Sequence, residues 1–244
     1  IDEMKTRAND APGVPFSLPK SKYTHTNDYI PVYDIVDHPV DIREVIDFVR
    51  SEDPRSKTAL SDGTPTDYIP CKRIALPVNK ENAIASGIVA EMVDTVYINL
   101  KKNALAKNEL MLLDMLANFD WKRPIYLTQV YILQNFGLMD YLQFDGYAYR
   151  FVPILTPVRN AYEIGRIDPD YAAPLLRDKF RYGNLSDPDI YCDYFIQYNL
   201  SASHAREAFA RVAKELLRQN RVEEGVELLD LGLERLPTSQ IRFT

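Results

Sequence analysis

The sequence predicts an α/β (α+β) protein with a small mixed sheet and flanking helices, followed by a helical part that ends in a tetratricopeptide-like hairpin. Two segments of the first half, 74–78 and 96–100, alternate apolar and polar residues as half-buried strands do. Helical periodicity surrounds these strands and dominates the C-terminal end of the chain. The 244 residues are 46% hydrophobic, which is enough apolar material for a sizeable core.

The first half of the sequence predicts an extended lead-in followed by helices and strands. Residues 1–40 contain five prolines and little periodicity, so we expect an extended lead-in. Asp41 and Glu44 form a D-x-x-E capping pattern before an apolar stripe, which predicts a helix over 42–49. Apolar periodicity then predicts a short helix over 80–86 and a long helix over 103–119. β-Branched or aromatic content predicts two further strands, over 125–128 and 147–154.

The second half turns helical from Asp168 onward. Asp168-Pro169 and Asp187-Pro188 each suit an N-cap residue followed by the first residue of a helix. Counting back from Pro237, a tetratricopeptide frame places small residues at positions where two antiparallel helices approach closely: Ala213, Gly225 and Gly232. The predicted hairpin spans about 204–237, with 191–200 as a partner helix. We therefore expect an α/β domain over 1–160 and a helical region over 161–244.

Composition excludes several classes of function. With 29 Lys and Arg against 35 Asp and Glu, the net charge is −6, so a nucleic-acid partner is not expected. The longest apolar stretch, 110–119, is far shorter than the roughly 20 residues of a membrane span. The chain opens at Ile1 without a start methionine, which predicts a soluble piece of a longer protein. A bridge between Cys71 and Cys192 is left open, because sequence does not give the paired geometry.

Motif chemistry assigns no catalytic residue, metal site or cofactor. The three histidines are widely separated, and no nucleophile elbow, P-loop or dinucleotide fingerprint occurs. Two D-x-D triplets, 168–170 and 187–189, have the spacing of a divalent-ion and diphosphate site, but the proline in each favours helix capping.

Two aromatic segments are the candidate binding elements. The stretch 137–153 and the segment 179–184 both mix aromatic rings with hydrogen-bonding side chains, which sugar or peptide binding requires and a packed core also explains. We predict that four residues contribute to one groove for an acceptor chain or sugar: Tyr141, Arg150, Arg181 and Asn184. Strand alternation predicts that Arg150 points toward solvent or toward an acidic partner such as Asp140 or Asp145.

The order of several motifs resembles a known family. The motifs are Asn108–Asp114, Trp121–Tyr126, Gly137–Pro153, Lys179–Asn184 and Asp187–Tyr191, followed by the tetratricopeptide-like tail. Together they are similar to the soluble C-terminal region of large Bacteroidetes membrane proteins of the protein O-mannosyltransferase-like (GT-C) family. Residues 129–135 depart from that pattern, which leaves the role of this loop open.

The resemblance implies a parent protein with many membrane spans that transfers sugar from a lipid-linked donor to protein. Its catalytic acidic residue lies between membrane helices, so none is transferred to this chain. The resemblance implies a non-catalytic module at the periplasmic face of the inner membrane. The module would dock the acceptor protein or glycan, or stabilise the parent's membrane domain. The alternatives are a stand-alone carbohydrate-active enzyme and a protein-interaction scaffold without sugar chemistry.

Overall fold

A computed structural model describes residues 15–24, 28–158, 163–191, 193–195 and 202–241. The mixed α+β class is confirmed, and the chain divides into two compact units. The first unit comprises 1–124, 129–141 and 153–157, and the second comprises 125–128, 142–152 and 158–244. The predicted domain boundary near residue 160 stays a prediction.

The first unit combines short helices with small sheets. Its helices are α1 (Ser21–Thr24), α2 (Ile42–Arg50), α3 (Lys80–Ala85), α4 (Lys107–Ala117) and α5 (Tyr131–Gln134). Its strands are β1 (Tyr29–Pro31), β2 (Val40–Asp41), β3 (Lys57–Ala59), β4 (Pro65–Asp67), β5 (Arg73–Pro77), β6 (Thr95–Asn99) and β7 (Ala104–Ala106). Two of the predicted strands, β5 and β6, join β2 in a mixed sheet, in which β5 pairs parallel with β2 and antiparallel with β6. The strands predicted over 125–128 and 147–154 lie in a separate sheet of the second unit.

Local sequence signals explain the helices of this unit. The Asp41 carboxylate accepts a hydrogen bond from the Arg43 backbone at 2.8 Å and thereby caps α2. The predicted apolar stripe of α2 is buried. The helix predicted from residue 103 begins instead at Lys107, because residues 104–106 pair with β1 as strand β7. Long-range strand pairing, which local periodicity does not reveal, sets this boundary.

A buried carboxylate fastens the lead-in to α4. Asp114 is fully buried and accepts hydrogen bonds from the backbone of Ser17 at 2.8 Å and of Leu18 at 2.9 Å. The hydroxyl of Tyr23 donates to the same carboxylate. Hydrogen bonds to the Asp114 side chain therefore attach the start of the described lead-in to α4.

The second unit joins a three-stranded antiparallel sheet to a helical part. Its strands are β8 (Tyr126–Leu127), β9 (Leu142–Phe144) and β10 (Tyr149–Phe151), in the order β8-β10-β9. Its helices are α6 (Pro169–Pro174), which a π-helical turn continues over Leu175–Lys179, α7 (Ala202–Arg218) and α8 (Val222–Arg235). Their buried side chains share one core, which includes Ala172, Leu176, Phe209, Val212, Leu216 and Leu228.

Helices α7 and α8 form an antiparallel hairpin in the predicted region. A Cβ atom on Gly232 would lie 2.8 Å from the Phe209 ring, and one on Gly225 would lie 3.2 Å from the Leu217 side chain. At the other end of the hairpin, Arg206 donates to the carbonyl of Leu236 at 2.5 Å. The close approach at both glycines agrees with the predicted frame, while membership of the tetratricopeptide class stays a prediction.

The two Asp-Pro signals have different outcomes. Asp168 caps α6 through a 3.3 Å bond from the Tyr171 backbone, as predicted. The helix expected after Asp187 is wrong: Asp187 accepts from the backbone of Asp189 at 3.0 Å and closes a turn. The predicted partner helix over 191–200 lies mostly outside the described residues.

Candidate functional site

One face of the β8-β10-β9 sheet is polar although it is largely buried. The register pairs Arg150 with Gln143 on one side and with Tyr126 on the other, so these three side chains share a face. Asp145 follows two residues after Gln143 and accepts a hydrogen bond from its side-chain amide at 2.9 Å. We call these four residues the polar face.

The polar face balances buried charges. Arg150, Asp145 and Gln143 are between 1% and 4% exposed. Burial raises the pKa of Asp145, while the Gln143 hydrogen bond and the charge of Arg150 act in the opposite direction. The Arg166 guanidinium donates to the side-chain carbonyl of Gln143. The charge of Arg150 thus offsets part of the cost of burying the Asp145 carboxylate.

Two tyrosine hydroxyls adjoin the polar face. The hydroxyl oxygens of Tyr126 and Tyr171 lie 3.3 Å apart, and the Arg150 guanidinium carbon lies 5.8 Å from the centre of the Tyr171 ring. Burial is the largest cause that raises the pKa of Tyr126, followed by its hydrogen bond with Tyr171. The Tyr126 side chain is partly exposed, while its hydroxyl also hydrogen-bonds the Asp145 carboxylate.

The opposite face of the same sheet is aromatic and packs on α7. The Arg211 guanidinium carbon lies 3.9 Å from the centre of the Phe144 ring, and Arg211 also donates to the Tyr149 hydroxyl at 3.1 Å and to the Ile164 carbonyl at 2.6 Å. This cation–π contact, with its hydrogen bonds, fixes the sheet on the helical part of the unit. The sheet that carries the polar face is therefore packed against α7 on its other side.

The tip of the β9–β10 hairpin meets the segment 179–184. The ring of Tyr147 lies 4.5 Å from that of Phe180 and 6.4 Å from that of Tyr182, measured between ring centres. We call these three residues the aromatic patch. Gly146 has φ +97, and a Cβ atom there would lie 2.7 Å from the Phe180 ring, so the tip requires glycine. The Tyr182 hydroxyl donates to the Leu176 carbonyl at 2.8 Å, which fixes the patch on the helical part.

The structure separates the four predicted binding residues by exposure. Arg181 and Asn184 are exposed and lie close in sequence to Phe180 and Tyr182 of the aromatic patch. Tyr141 is 7% exposed and belongs to the first unit, and Arg150 is 1% exposed. Of the two orientations expected for Arg150, the one toward solvent is wrong. Its charge acts on Asp145, one of the two predicted acidic partners, and Tyr171 lies against its guanidinium.

Sequence reasoning missed the contributions of Tyr126, Arg166 and Tyr171 to this region. These residues come from three separate segments, which only the tertiary fold brings together. One local signal was available for the hairpin itself. The alternation Leu-Gln-Phe, a short turn and Tyr-Arg-Phe places the polar residues Gln143 and Arg150 opposite each other.

Among the described residues, no group of three or more His, Cys, Asp or Glu side chains could hold a metal ion. No helix in the described ranges has the length and apolar character needed to cross a membrane.

Comparison with known proteins gives one match. The model of the family described as TMEM260-associated domain 2 matches residues 1–171. No curated protein and no solved structure matches the chain. The matched range covers the first unit and the whole β8-β10-β9 sheet, and it ends within α6.

Proposed function

The chain belongs to the TMEM260-associated domain 2 family, and from this premise we propose that it is a non-catalytic module of a membrane protein O-glycosyltransferase. TMEM260, with which this domain is associated, is a membrane glycosyltransferase-like protein. The module docks the acceptor protein for a sugar that the membrane part transfers from a lipid-linked donor. In the bacterial parent that the sequence resembles, this module faces the periplasm.

The family match is the observation that carries this proposal. It covers residues 1–171, which is well over half of the 244-residue chain. It also links the chain to a membrane glycosyltransferase-like protein, in agreement with the motifs that suggested one.

The aromatic patch is the surface that we assign to the acceptor. Tyr147 is 36% exposed, and Arg181 and Asn184 lie exposed beside the patch in sequence. An exposed aromatic ring, a guanidinium and an amide offer stacking and hydrogen bonds, which suit the backbone of an extended acceptor or a sugar ring. Tyr141 and Arg150 then have supporting roles, because their side chains are buried.

Glycosylation in cells tests the proposal. Cells that express the full-length membrane protein are compared with cells that express Arg181→Ala together with Asn184→Ala. O-linked glycans are released from total protein by β-elimination and measured, so neither the sugar nor the acceptor needs to be known. We expect the double variant to release clearly less glycan at the same level of membrane protein.

A matched control removes equivalent groups elsewhere. Lys122→Ala together with Gln129→Ala deletes one exposed cation and one exposed amide from the first unit, and we expect it to glycosylate as the unchanged protein does. Equal glycan release from both double variants and the unchanged protein would show that the aromatic patch does not dock the acceptor.

A further inference from the structure

Helix α8 carries an apolar face that no described residue covers. Its opposite face packs against α7 and the core, where Gly225, Leu228 and Gly232 are buried. The outer face presents four apolar residues at helical spacing, each between 36% and 51% exposed: Val222, Val226, Leu229 and Leu233. On α7, Leu217 is 41% exposed and lies beside Gly225, so the apolar surface continues across the hairpin.

One border of this apolar stripe, the one away from α7, is acidic. Glu223, Glu227, Asp230 and Glu234 all fall within a narrow sector adjacent to the stripe, because successive residues turn by about 100° around a helix. All four are exposed. The only basic residue within α8 is Arg235, and the remaining acidic residue, Glu224, is paired with Arg221 at 2.7 Å. The stripe therefore lies next to a run of negative charge that the described contacts do not neutralise.

From this surface we propose that the outer face of α8 binds an amphipathic helix of a partner protein whose apolar stripe is flanked by lysine or arginine. The apolar residues supply the contact area, and the acidic border selects a partner of opposite charge. The charge pattern disfavours other occupants. An antiparallel second copy of α8 would bring the two acidic borders together, and an anionic membrane would be repelled.

This inference is independent of the proposed acceptor site. Helix α8 spans Val222–Arg235 and lies beyond residues 1–171, the range that the family model matches. The residues proposed here lie on α8 and its α7 neighbour Leu217, and none of them is among the residues assigned to the acceptor, which are Tyr147, Arg181 and Asn184. Failure of either experiment leaves the other intact.

Two designed peptides test the proposal with the full 244-residue chain. One is an 18-residue helix of Leu, Ala and Lys, with its leucines at i, i+3, i+4 and i+7 and lysines along both sides of the stripe. The other has the same leucines and carries Glu in place of Lys. Fluorescence anisotropy measures their binding at low and high salt. We expect the lysine peptide to bind more weakly as salt increases, and the glutamate peptide not to bind.

Variants then locate the binding. Leu229→Ala together with Leu233→Ala keeps good helix formers and should weaken the lysine peptide about tenfold or more. Glu227→Lys together with Asp230→Lys should weaken it and reduce its salt dependence. Glu81→Lys together with Glu91→Lys changes the net charge equally at exposed positions of the first unit, and we expect it to bind as the unchanged chain does. Circular dichroism of each variant verifies that the helices persist.

Three results would overturn the proposal. The first is equal binding of both peptides. The second is equal weakening by the control variant Glu81→Lys with Glu91→Lys, which would make the attraction a general effect of net charge. The third is the absence of peptide binding, including the case where sedimentation reveals a dimer that Leu229→Ala with Leu233→Ala dissociates, since that would assign the stripe to a second copy.

Discussion

Burial and the neighbouring polar groups shift the pKa of Asp145 in opposite directions. Its side chain is 2% exposed, and burial raises its pKa above the usual value of an aspartate. Arg150 and the amide of Gln143 favour the charged form and offset part of that effect. Because the pKa is higher in the folded chain than in the unfolded chain, Asp145 stabilises the fold most when it is protonated. That contribution is lost as pH rises through the folded pKa.

This linkage gives a prediction for Asp145→Asn. As pH increases from about 4 to about 7, the unchanged protein should lose stability relative to this variant, whose amide does not ionise. Urea unfolding of both proteins at the two pH values measures the difference in the free energy of unfolding. Asp189→Asn, at an exposed position, serves as the control. A relative gain in stability of the unchanged protein at the higher pH would show that the pairing with Arg150 outweighs burial.

Cys71 is a second residue whose chemistry follows from burial. It is a fully buried free thiol, and burial, with a smaller effect from Asp34, raises its pKa to about 11. Cys192 lies outside the described residues, and Cys71 forms no disulfide in the structure. The thiolate is the reactive form, so a thiol with this pKa is ionised in roughly one molecule in a thousand at pH 8.

We therefore predict that Cys71 resists thiol reagents in the folded protein. In a Cys192→Ser variant, Ellman's reagent at pH 8 should modify Cys71 at least about a hundredfold faster in denaturant than in native buffer. Comparable rates under the two conditions would show that the site opens readily or that the thiol is exposed.

Within the α7–α8 hairpin, Gly232 sets the distance between the two helices. A Cβ atom at this position would lie 2.8 Å from one carbon of the Phe209 ring and 3.0 Å from the Phe209 Cβ. Phe209 is 1% exposed and surrounded by the core of the second unit, so its ring has little freedom to move. The hairpin therefore requires a glycine at this position as well as the apolar residues packed between the two helices.

Gly232→Leu tests this dependence. Overpacking of the seam should lower the free energy of unfolding by about 1–3 kcal/mol. Ala210→Leu is the matched control, because Ala210 lies at an exposed position of α7 and the added carbons meet solvent. Thermal unfolding of both variants gives the comparison. Equal melting temperatures of the two variants and the unchanged chain would contradict the close approach of the helices at Gly232.

Local sequence signals predicted the elements that local contacts determine. Helix α2 has its own cap at Asp41 and its own apolar stripe, and its predicted span agrees with the structure to within one residue. Residues 104–106 look helical in sequence but pair with β1, because partners distant in sequence decide the outcome. The helix expected after Asp187 fails for a related reason, since the same Asp-Pro pair also closes a turn.

The candidate site was predictable only in part. The aromatic segments around Tyr147 and Phe180 were recognisable in sequence, and the fold places their rings in contact. The burial of Arg150 was not predictable, because the residues that cover it come from the segment around Tyr171. A side chain's accessibility depends on what packs over it, and alternation along a strand specifies only its face.

At the scale of the whole molecule, two surfaces of the second unit have separate assignments. The aromatic patch is assigned to the acceptor of a membrane glycosyltransferase, and the outer face of α8 to a basic helix of a partner protein. The family match supports a glycosyltransferase module, the exposure of Tyr147, Arg181 and Asn184 supports the place of the acceptor, and the exposure and charge of α8 support the second assignment. The first is the central claim, since it states what the chain does.

The kinetics of acceptor glycosylation test that claim most directly. An acceptor protein identified from the glycans lost in cells is titrated into membranes that contain the full-length protein, and sugar transfer is measured with and without Arg181→Ala and Asn184→Ala. A docking role predicts that the double variant raises the KM for the acceptor severalfold and leaves kcat nearly unchanged. An unchanged KM, or a loss confined to kcat, would contradict docking at the aromatic patch.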